Sequence, residues 1–305
     1  MKVLVLLNKV AGAGGKSDQH AEVLAAFGHY GVDATVSLVS GPDIAPAARA
    51  ARDARLSQAG AGYDALVVAG GDGSISAAAG QLAGTDLPLG ILPFGTLNHF
   101  ARDLGLPLEL DAAAAAIAAR KIRRVDVAQV NGRVFVNNSS IGLYPFMVAS
   151  RNAEQRRLGL SKLAATLPAL ARTLLGASWH NLDIVMAGEK RRARTPCVFV
   201  GNNSYATDMT AFGQRAKLDS GRLCVFVVRG QTRLGLLLLP FKIALHLADR
   251  DRDVESFSVA NLEIFSRRPY VQVALDGEIA TLPTPLRYQS WQRALRVLAP
   301  PLHES

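Results

Sequence analysis

The chain has 305 residues, which is enough for two domains of ordinary size, and 49% of them are hydrophobic, as expected of a globular protein with a large core. The formal net charge of +9 points to an acidic partner, such as nucleic acid, an anionic membrane or a phosphorylated ligand. Aromatic residues make up only 6% of the chain and do not alternate with basic ones, which argues against nucleic acid. The longest apolar stretch, residues 234–248, is interrupted by Pro240, Lys242 and His246 and is too short to cross a bilayer, so we expect a soluble, cytoplasmic protein.

The first part of the chain alternates short apolar strands with alanine-rich helices. Continuous apolar strands separated by helices are typical of a parallel sheet that is covered on both faces. Asp111 is the predicted N-cap of the last of these helices. The predicted strands are residues 2–7, 34–39, 65–69 and 88–92, and the predicted helices are residues 21–30, 46–58, 74–82 and 111–120.

The pattern changes after Arg124, where antiparallel strands become the better interpretation. Asn131 and Gly132 separate two apolar runs, 125–130 and 133–136, and predict a hairpin with a type I′ turn. Further predicted strands are residues 182–186, 194–200, 223–228, 254–265 and 270–275, with helical insertions at 158–175 and 234–248.

The sequence therefore predicts two domains. An N-terminal α/β domain with a parallel sheet covers residues 1–126, and a β-rich, antiparallel, sandwich-like domain covers residues 127–305. The closing segment, residues 294–298, is a candidate for packing back onto the first domain.

The most informative motif is Gly70-Gly71-Asp72-Gly73-Ser74, which lies between a predicted strand and a predicted helix. A glycine turn at that place exposes backbone N–H groups beside a helix N-terminus, which is a natural phosphate site. Asp72 puts a negative charge where phosphate would be repelled, unless Mg²⁺ bridges the two or the carboxylate takes a proton. The motif indicates phosphoryl transfer, although glycine also serves in ordinary tight turns of α/β domains.

Two more loops follow predicted strands of the same sheet. Residues 8–15 are rich in glycine, but Val10 stands where a Walker A loop needs its first glycine, and Ser17 where the dinucleotide motif needs its third. Such a loop still lies where open α/β sheets bind ligands, with a plain connection as an equal alternative. In residues 93–104, Gly95 permits close backbone approach, and we expect Thr96 to cap the next helix or to meet a phosphate oxygen.

Two turns in the second half contain aspartate and glycine. The carboxylates of Asp276-Gly277-Glu278 could hold Mg²⁺ or accept a proton from a hydroxyl nucleophile. The alternative is an ordinary Asp-Gly hairpin turn, which the local sequence favours. Asp219-Ser220-Gly221 has the same ambiguity.

These motifs occur in the order and at the spacing of a known family. Gly-Gly-Asp-Gly-Ser at 70–74, Pro-Phe-Gly-Thr-Leu-Asn at 93–98 with Phe-Ala-Arg at 100–102, and Asp-Gly-Glu at 276–278 resemble the diacylglycerol kinase catalytic-domain family. The similarity is to its soluble bacterial lipid kinases, which are related also to sphingosine kinases, and it extends from Asn8 to Glu278. It implies a nucleotide-binding α/β domain, a β-rich lipid-substrate domain, and ATP with Mg²⁺ in the cleft between them.

The resemblance also implies roles for individual residues. Glu278 matches the family's proton acceptor for the lipid hydroxyl, and Asp72 either organises Mg²⁺ or, as proposed for sphingosine kinases, is the base. The implied metal ligands are Asp219, Ser220 and Asp276. The implied nucleotide-binding residues are Asn8, Gly70, Gly71, Asp72, Gly73, Ser74, Ser76, Thr96 and Asn98.

The chain departs from the family pattern at three places; Ser74 replaces the more usual threonine but keeps the hydroxyl, and the other two departures keep alternatives open. His99 stands where the family usually has aspartate after Asn98, and the family's structural-metal turn reads Asp-Gly rather than Asp219-Ser220-Gly221. A catalytically weak lipid-binding relative is therefore one alternative. An NAD kinase, which shares the Gly-Gly-Asp-Gly loop, is less well supported because Asn98-His99 replaces that family's Asn-Glu pair.

A lipid kinase without a membrane span has to reach its substrate from the bilayer surface. We expect peripheral contact with the anionic inner face of the membrane, with solvated basic surface as the alternative. The helical stretch at 160–175 carries few charges and could insert shallowly. The oligomeric state is left open, with a homodimer as one option. The basic residues clustered in the second domain are Arg151, Arg156, Arg157, Lys162, Lys190, Arg191, Arg192 and Arg194.

Overall fold

A computed structural model describes residues 1–10, 16–57, 62–142, 179–204, 215, 217–229 and 254–301 of the chain. The helices predicted at 158–175 and 234–248, most of the glycine-rich loop at 8–15, and the basic residues between 151 and 162 lie outside the described residues. None of the helices in the described ranges is long and apolar enough to cross a membrane.

The N-terminal part is an open parallel sheet with helices on both faces, as predicted. Apolar side chains alternate along the strands, so that Leu6 packs against one layer of helices while Val5 and Leu7 pack against the other. The four strands lie in the order β2-β1-β3-β4. They are β1 (Lys2–Asn8), β2 (Asp33–Val39), β3 (Ala65–Gly70) and β4 (Leu89–Pro93), and the helices are α1 (Lys16–His29), α2 (Ile44–Leu56, after a 3-10 turn at Gly41–Asp43), α3 (Asp72–Leu82), α4 (His99–Asp103) and α5 (Leu110–Ala118).

The C-terminal part is built of antiparallel strands, which confirms the β-rich prediction. One sheet runs in the order β12-β11-β10-β7-β14-β15, and a buried apolar cluster lies between it and the strands that extend the first sheet. The strands are β5 (Ile122–Val130), β6 (Arg133–Phe135), β7 (Asn138–Gly142), β8 (His180–Met186), β9 (Glu189–Thr195), β10 (Cys197–Asn202), β11 (Leu223–Val228), β12 (Val254–Val259), β13 (Asn261–Ser266), β14 (Tyr270–Leu275), β15 (Glu278–Pro283) and β16 (Leu286–Leu298).

The last strand, β16, connects the two parts. Its first half pairs with β13, its register against β5 shifts between Trp291 and Leu295, and Val297 pairs in parallel with Leu89 of β4. The larger sheet therefore runs β2-β1-β3-β4-β16-β13-β8-β9 without interruption. The closing segment at 294–298 lies in this strand.

Most predicted elements are present, and the differences have local causes. Positive φ angles at Asn131 (47°) and Gly132 (79°) confirm the type I′ turn. The run predicted at 194–200 covers the end of β9 and the start of β10, and the run at 254–265 divides at residue 260 into β12 and β13, which belong to different sheets. The N-cap of α5 is Glu109; Asp111 lies within the first turn and accepts a hydrogen bond from the Tyr30 hydroxyl at 2.7 Å.

Candidate active site

Two glycine turns touch at the carboxyl ends of β3 and β4. The first glycine turn is residues 70–74, after β3, and the second is residues 93–98, after β4. A Cβ atom on Gly95 would lie 2.5 Å from the Gly71 Cα, and a Cβ on Gly71 would lie 3.3 Å from the Gly95 Cα. Backbones can come this close only where neither residue carries a side chain. The two turns, both predicted from the sequence as candidate phosphate sites, therefore pack directly against each other.

The N-terminus of α3 is open to a ligand. Gly71, the N-cap residue, provides no side-chain cap, and the first backbone bond runs from the Ile75 N–H to the Gly71 carbonyl at 3.1 Å. The amides of Asp72, Gly73 and Ser74 thus have no partner within the helix, which is the arrangement that binds phosphate.

Asn8 fastens the end of β1 to this helix. Its Nδ2 donates to the Ser74 Oγ at 2.8 Å, and a Cβ on Gly70 would lie 2.8 Å from the Ser74 Cβ. Asn8, Gly70 and Ser74, three of the predicted nucleotide-binding residues, thus lie next to one another.

Asp72 caps the short helix α4. Its Oδ2 accepts from the His99 N–H at 3.2 Å, and its Oδ1 accepts from the Phe100 N–H at 3.0 Å and from the Asn137 Nδ2 at 3.2 Å. The expectation that Thr96 caps this helix is wrong, because the N-cap residue is Asn98 and the capping carboxylate comes from the neighbouring turn. Thr96 itself is exposed.

Asn98 organises the second turn from within. It has a left-handed backbone with φ of 50°, and its buried side chain accepts from the Gly95 N–H at 2.9 Å. Its Nδ2 donates to the carbonyls of Pro93 at 3.1 Å and Gly95 at 2.8 Å. A ligand here would meet the backbone of the turn rather than the Asn98 carboxamide, and a nucleotide contact through Asn98 stays a prediction.

The hairpin between β14 and β15 carries Glu278 to the first glycine turn. A Cβ on Gly73 would lie 2.7 Å from the Glu278 Oε1, so the carboxylate rests against the open N-terminus of α3. Beside it is a cavity of about 290 Å³ whose lining includes Ser76, Gln81 and Arg133. Glu278, Gly73 and Ser76, all predicted site residues, thus line one cavity.

Asp276 fixes that hairpin in place. Its Oδ2 accepts from the Val136 N–H at 2.7 Å, and its Oδ1 accepts from the N–H groups of Asn137 at 2.8 Å and Asn138 at 2.9 Å. Burial raises the pKa of the Asp276 carboxyl, while these bonds and one from the Ser76 hydroxyl act in the opposite direction. Both oxygens are engaged by protein donors, and a metal role for Asp276 stays a prediction.

The Asp219-Ser220-Gly221 turn is also held by protein groups. Asp219 Oδ2 accepts from the Arg293 Nη2 at 3.4 Å, and Asn203 Oδ1 accepts from both the N–H and the Oγ of Ser220 at 2.9 and 2.8 Å. The fully buried Asp126 accepts from the Gly221 N–H at 2.6 Å. A metal role for Asp219 and Ser220 stays a prediction. Among the residues that the structure describes, no three His, Cys, Asp or Glu side chains are grouped to hold a metal ion.

Sequence reasoning missed two residues of the site region, Asn137 and Arg215. The Arg215 guanidinium is buried and donates to Asp103 Oδ2 at 2.7 Å, to the Val136 carbonyl at 2.5 Å and to Asn137 Oδ1 at 2.8 Å. Neither residue is part of a sequence motif or a periodic pattern, so the contact of Asn137 with Asp72 and that of Arg215 with Asn137 could be seen only in the folded chain.

The residues present fit a nucleotide better than a metal cage. Three amides without a partner inside the helix, at its N-terminus, suit a phosphate group. Mg²⁺ in phosphoryl-transfer sites is commonly held by one or two carboxylates together with the substrate phosphates and water. Glu278, an exposed carboxylate beside the amides of α3, is compatible with that mode.

Comparisons with known proteins agree with this geometry. Residues 2–130 match the model of the diacylglycerol kinase catalytic domain. The chain is 44% identical over 119 residues to a diacylglycerol kinase of Mycobacterium tuberculosis, covering 38% of this chain and 36% of that protein. It is 34% identical over 133 residues to a diacylglycerol kinase of Bacillus subtilis, covering 43% and 37%. The aligned segment thus spans little more than a third of the length of these relatives.

A solved structure extends the similarity to the whole fold. A crystal structure from Bacillus anthracis str. Sterne, described as a "putative diacylglycerol kinase", superposes with a TM-score of 0.75 at 26% identity and covers 98% of both chains. The relatives named as kinases imply nucleotide use at the family level. Residues 2–130 are therefore similar to the diacylglycerol kinase catalytic-domain family, and the resemblance predicted from the motifs is confirmed there.

Proposed function

We propose that the protein is an ATP- and Mg²⁺-dependent lipid kinase that phosphorylates a hydroxyl group of diacylglycerol or a related lipid. The observation that carries the proposal is the contact between Glu278 and Gly73, which places a carboxylate beside the first turn of α3, where three amides have no partner within the helix. A proton acceptor and a phosphate site thus lie side by side, as transfer of a phosphoryl group to an alcohol requires.

The residues act as follows in this proposal. The amides of Asp72, Gly73 and Ser74 hold the terminal phosphates, and the lipid hydroxyl enters beside Glu278. Glu278 takes the hydroxyl proton as the hydroxyl oxygen forms its bond to the γ-phosphorus, and the bond from that phosphorus to the bridging oxygen breaks, which releases ADP. Mg²⁺ would neutralise phosphate charge. Positioning and charge stabilisation supply most of the acceleration.

The structure favours Glu278 over Asp72 as the base. Asp72 already accepts three hydrogen bonds, from His99, Phe100 and Asn137, whereas Glu278 is exposed on the cavity side. A general base has to approach the proton that it removes. We assign Asp72 to fixing the second glycine turn relative to the first.

We also propose peripheral contact with an anionic bilayer through β9, the edge strand of the larger sheet. Lys190, Arg191, Arg192 and Arg194 lie on it, and the nearby carboxylates Asp183 and Glu189 pair with three of the four cations. The four cations outnumber these two carboxylates by two, and an unpaired basic group near an anionic surface contributes about 1 kcal/mol, so the strand would add a modest attraction for reversible docking. The test is co-sedimentation with phosphatidylglycerol vesicles, where replacement of Arg194 by Glu should weaken binding and phosphatidylcholine vesicles should bind neither protein.

One assay tests the reaction. Purified protein is incubated with γ-labelled ATP, Mg²⁺ and either diacylglycerol in mixed micelles or NAD, and label is followed into the organic and aqueous products. We expect label in the organic phase, and Glu278→Gln should reduce its rate by about 100-fold or more. Glu263→Gln, which removes an exposed carboxylate paired with Arg287, is the matched control and should retain the wild-type rate.

Other outcomes identify the alternatives. Label on NAD would show an NAD kinase. Lipid binding without label in any product would show a catalytically inactive relative. An unchanged rate in Glu278→Gln would exclude Glu278 as the proton acceptor.

A further inference from the structure

We propose that Arg215, in the second domain, is a positioning residue that fixes the place of the first glycine turn. It acts through Asn137, which contacts Asp72 of that turn. The chain of contacts is Arg215 Nη2 to Asn137 Oδ1 at 2.8 Å, and Asn137 Nδ2 to Asp72 Oδ1 at 3.2 Å. This inference rests on the proposed function for its kinetic consequence, but its structural consequence can be measured without turnover.

The environment of Arg215 is unusual for a cation. Its side chain has no exposed surface, and the Asp103 carboxylate paired with it is 6% exposed. The guanidinium also lies over the Phe100 ring at 5.7 Å from the centroid. Arginine is rarely buried without a specific arrangement of acceptors, and here the acceptors come from α4, from the link between β6 and β7, and from β10.

Arg215 determines which way the Asn137 carboxamide faces. A guanidinium can only donate, so the atom of Asn137 that meets it has to be the oxygen. The carboxamide nitrogen then points at Asp72, where it needs an acceptor, and the Asp72 carboxylate provides one. Without Arg215, the carboxamide could turn its oxygen toward Asp72, which would set two acceptors against each other.

The same arginine also fixes the other end of α4. Asp72 caps the N-terminus of this five-residue helix, and Asp103, its last residue, is ion-paired with Arg215 at 2.7 Å. A helix this short has little stability of its own and depends on such contacts. Arg215 thus holds α4 directly at one end and, through Asn137 and Asp72, at the other.

The functional consequence concerns the phosphate site. Asp72 is the first residue of α3, whose open amides we assign to the nucleotide, so a shift of its carboxylate moves the turn that carries those amides. Small displacements of positioning groups can cost large factors in rate. Loss of Arg215 should therefore lower kcat, while the KM for diacylglycerol, whose hydroxyl enters beside Glu278, should stay near the wild-type value.

The test compares Arg215→Lys, Asn137→Ala and the double variant. Lysine keeps the charge opposite Asp103 but lacks the planar fork that reaches Asn137. We expect kcat to fall about tenfold or more in each single variant, and the double variant to be no slower than Asn137→Ala alone. We also expect faster hydrogen–deuterium exchange at the amides of His99 and Phe100 in each, without any ligand.

Tyr288→Phe is the control for general destabilisation. It removes a buried hydrogen bond to Ser139 at 2.9 Å that has no part in this chain of contacts, so it should lower the melting temperature without changing exchange at α4. Unchanged exchange at His99 and Phe100 in Arg215→Lys would overturn the inference, and so would fold-losses in kcat that multiply in the double variant. If the wild-type protein phosphorylates no lipid, the proposed function fails, and the exchange measurement still decides the role of Arg215.

Discussion

The Glu278 carboxylate lies against the backbone of Gly73, although one residue begins a strand near the end of the chain and the other lies in the first turn of α3. The contact needs a hairpin whose turn is fixed by Asp276 and a residue without a side chain, Gly73, in the first turn of the helix. It places the two chemical groups of the proposed reaction next to each other, and it can be disturbed from either side.

Gly73→Ala disturbs it from the helix side. The new Cβ would lie 2.7 Å from the Glu278 Oε1, and the end of a glutamate side chain can swing away at little cost. We therefore expect a free energy of unfolding close to the wild-type value, because alanine favours the helix by about 1 kcal/mol, with kcat lowered by about 100-fold. Urea unfolding and the labelled-lipid assay measure the two effects. Gly28→Ala, in α1 with no atom near the new Cβ, is the matched control and should leave kcat unchanged; a fully active Gly73→Ala would contradict the assignment.

Gly95→Ala should behave differently, since its new Cβ meets backbone. The closest atoms would be the Gly71 Cα at 2.5 Å and the Asn98 Oδ1 at 2.6 Å. Neither atom can move without separating the two glycine turns. We expect both a loss of stability of about 1–3 kcal/mol and a loss of ATP binding. Thermal unfolding and calorimetric titration with ATP measure these. Wild-type affinity in this variant would show that the two turns do not act as one surface.

Removal of divalent metal should leave the stability of the free protein unchanged. Asp219 is paired with Arg293, Ser220 is bonded to Asn203, and the Asp276 oxygens accept three backbone amides, so these groups are satisfied within the protein. The melting temperature measured with EDTA should match that measured with Mg²⁺ when no nucleotide is present. A metal-dependent rise would instead support the metal site that the sequence predicts at the Asp219 turn.

Stability should fall in mild acid because of His180. Burial and the positive charge of Arg268 lower the pKa of this histidine below its ordinary value of 6.5. The folded state therefore favours the neutral ring, so its contribution is present above pH 6.5 and is lost as the pH falls through the lowered pKa. Urea unfolding at about pH 7.5 and about pH 5 should show a smaller acid loss in His180→Gln than in the wild type. Equal losses in the two proteins would contradict this role.

The sequence was informative where a local pattern fixes a local structure. The strands at residues 223–228 and 270–275 have the predicted bounds, because each is a largely apolar run next to glycine, proline or aspartate residues that favour turns. The strand β9 was missed in its charged part, since Glu189–Thr195 has no apolar alternation and is held as an edge by its partner β8. The run at 254–265 was read as one strand because alternation does not show where a chain passes from one sheet to another.

The site shows the same limit. Glycine turns and the Asp-Gly-Glu motif identified the residues around α3, since these depend on neighbours in the sequence. The contact of Asn137 with Asp72, and that of Arg215 with Asn137, could not be predicted, because they join distant segments through hydrogen bonds that leave no periodic signal. For the same reason Thr96 was expected to cap α4, although the capping carboxylate belongs to another turn.

The pairing of β16 with β4 has a consequence for the biosynthesis of the protein. The segment that matches the family model, residues 2–130, leaves the edge of β4 without its neighbour, which is translated more than a hundred and fifty residues later, as residues 286–298. Exposed strand edges invite pairing with other chains. A fragment ending at residue 130 should therefore associate with itself, because the edge of β4 gains its neighbour in the sheet only when residues 286–298 have been synthesised.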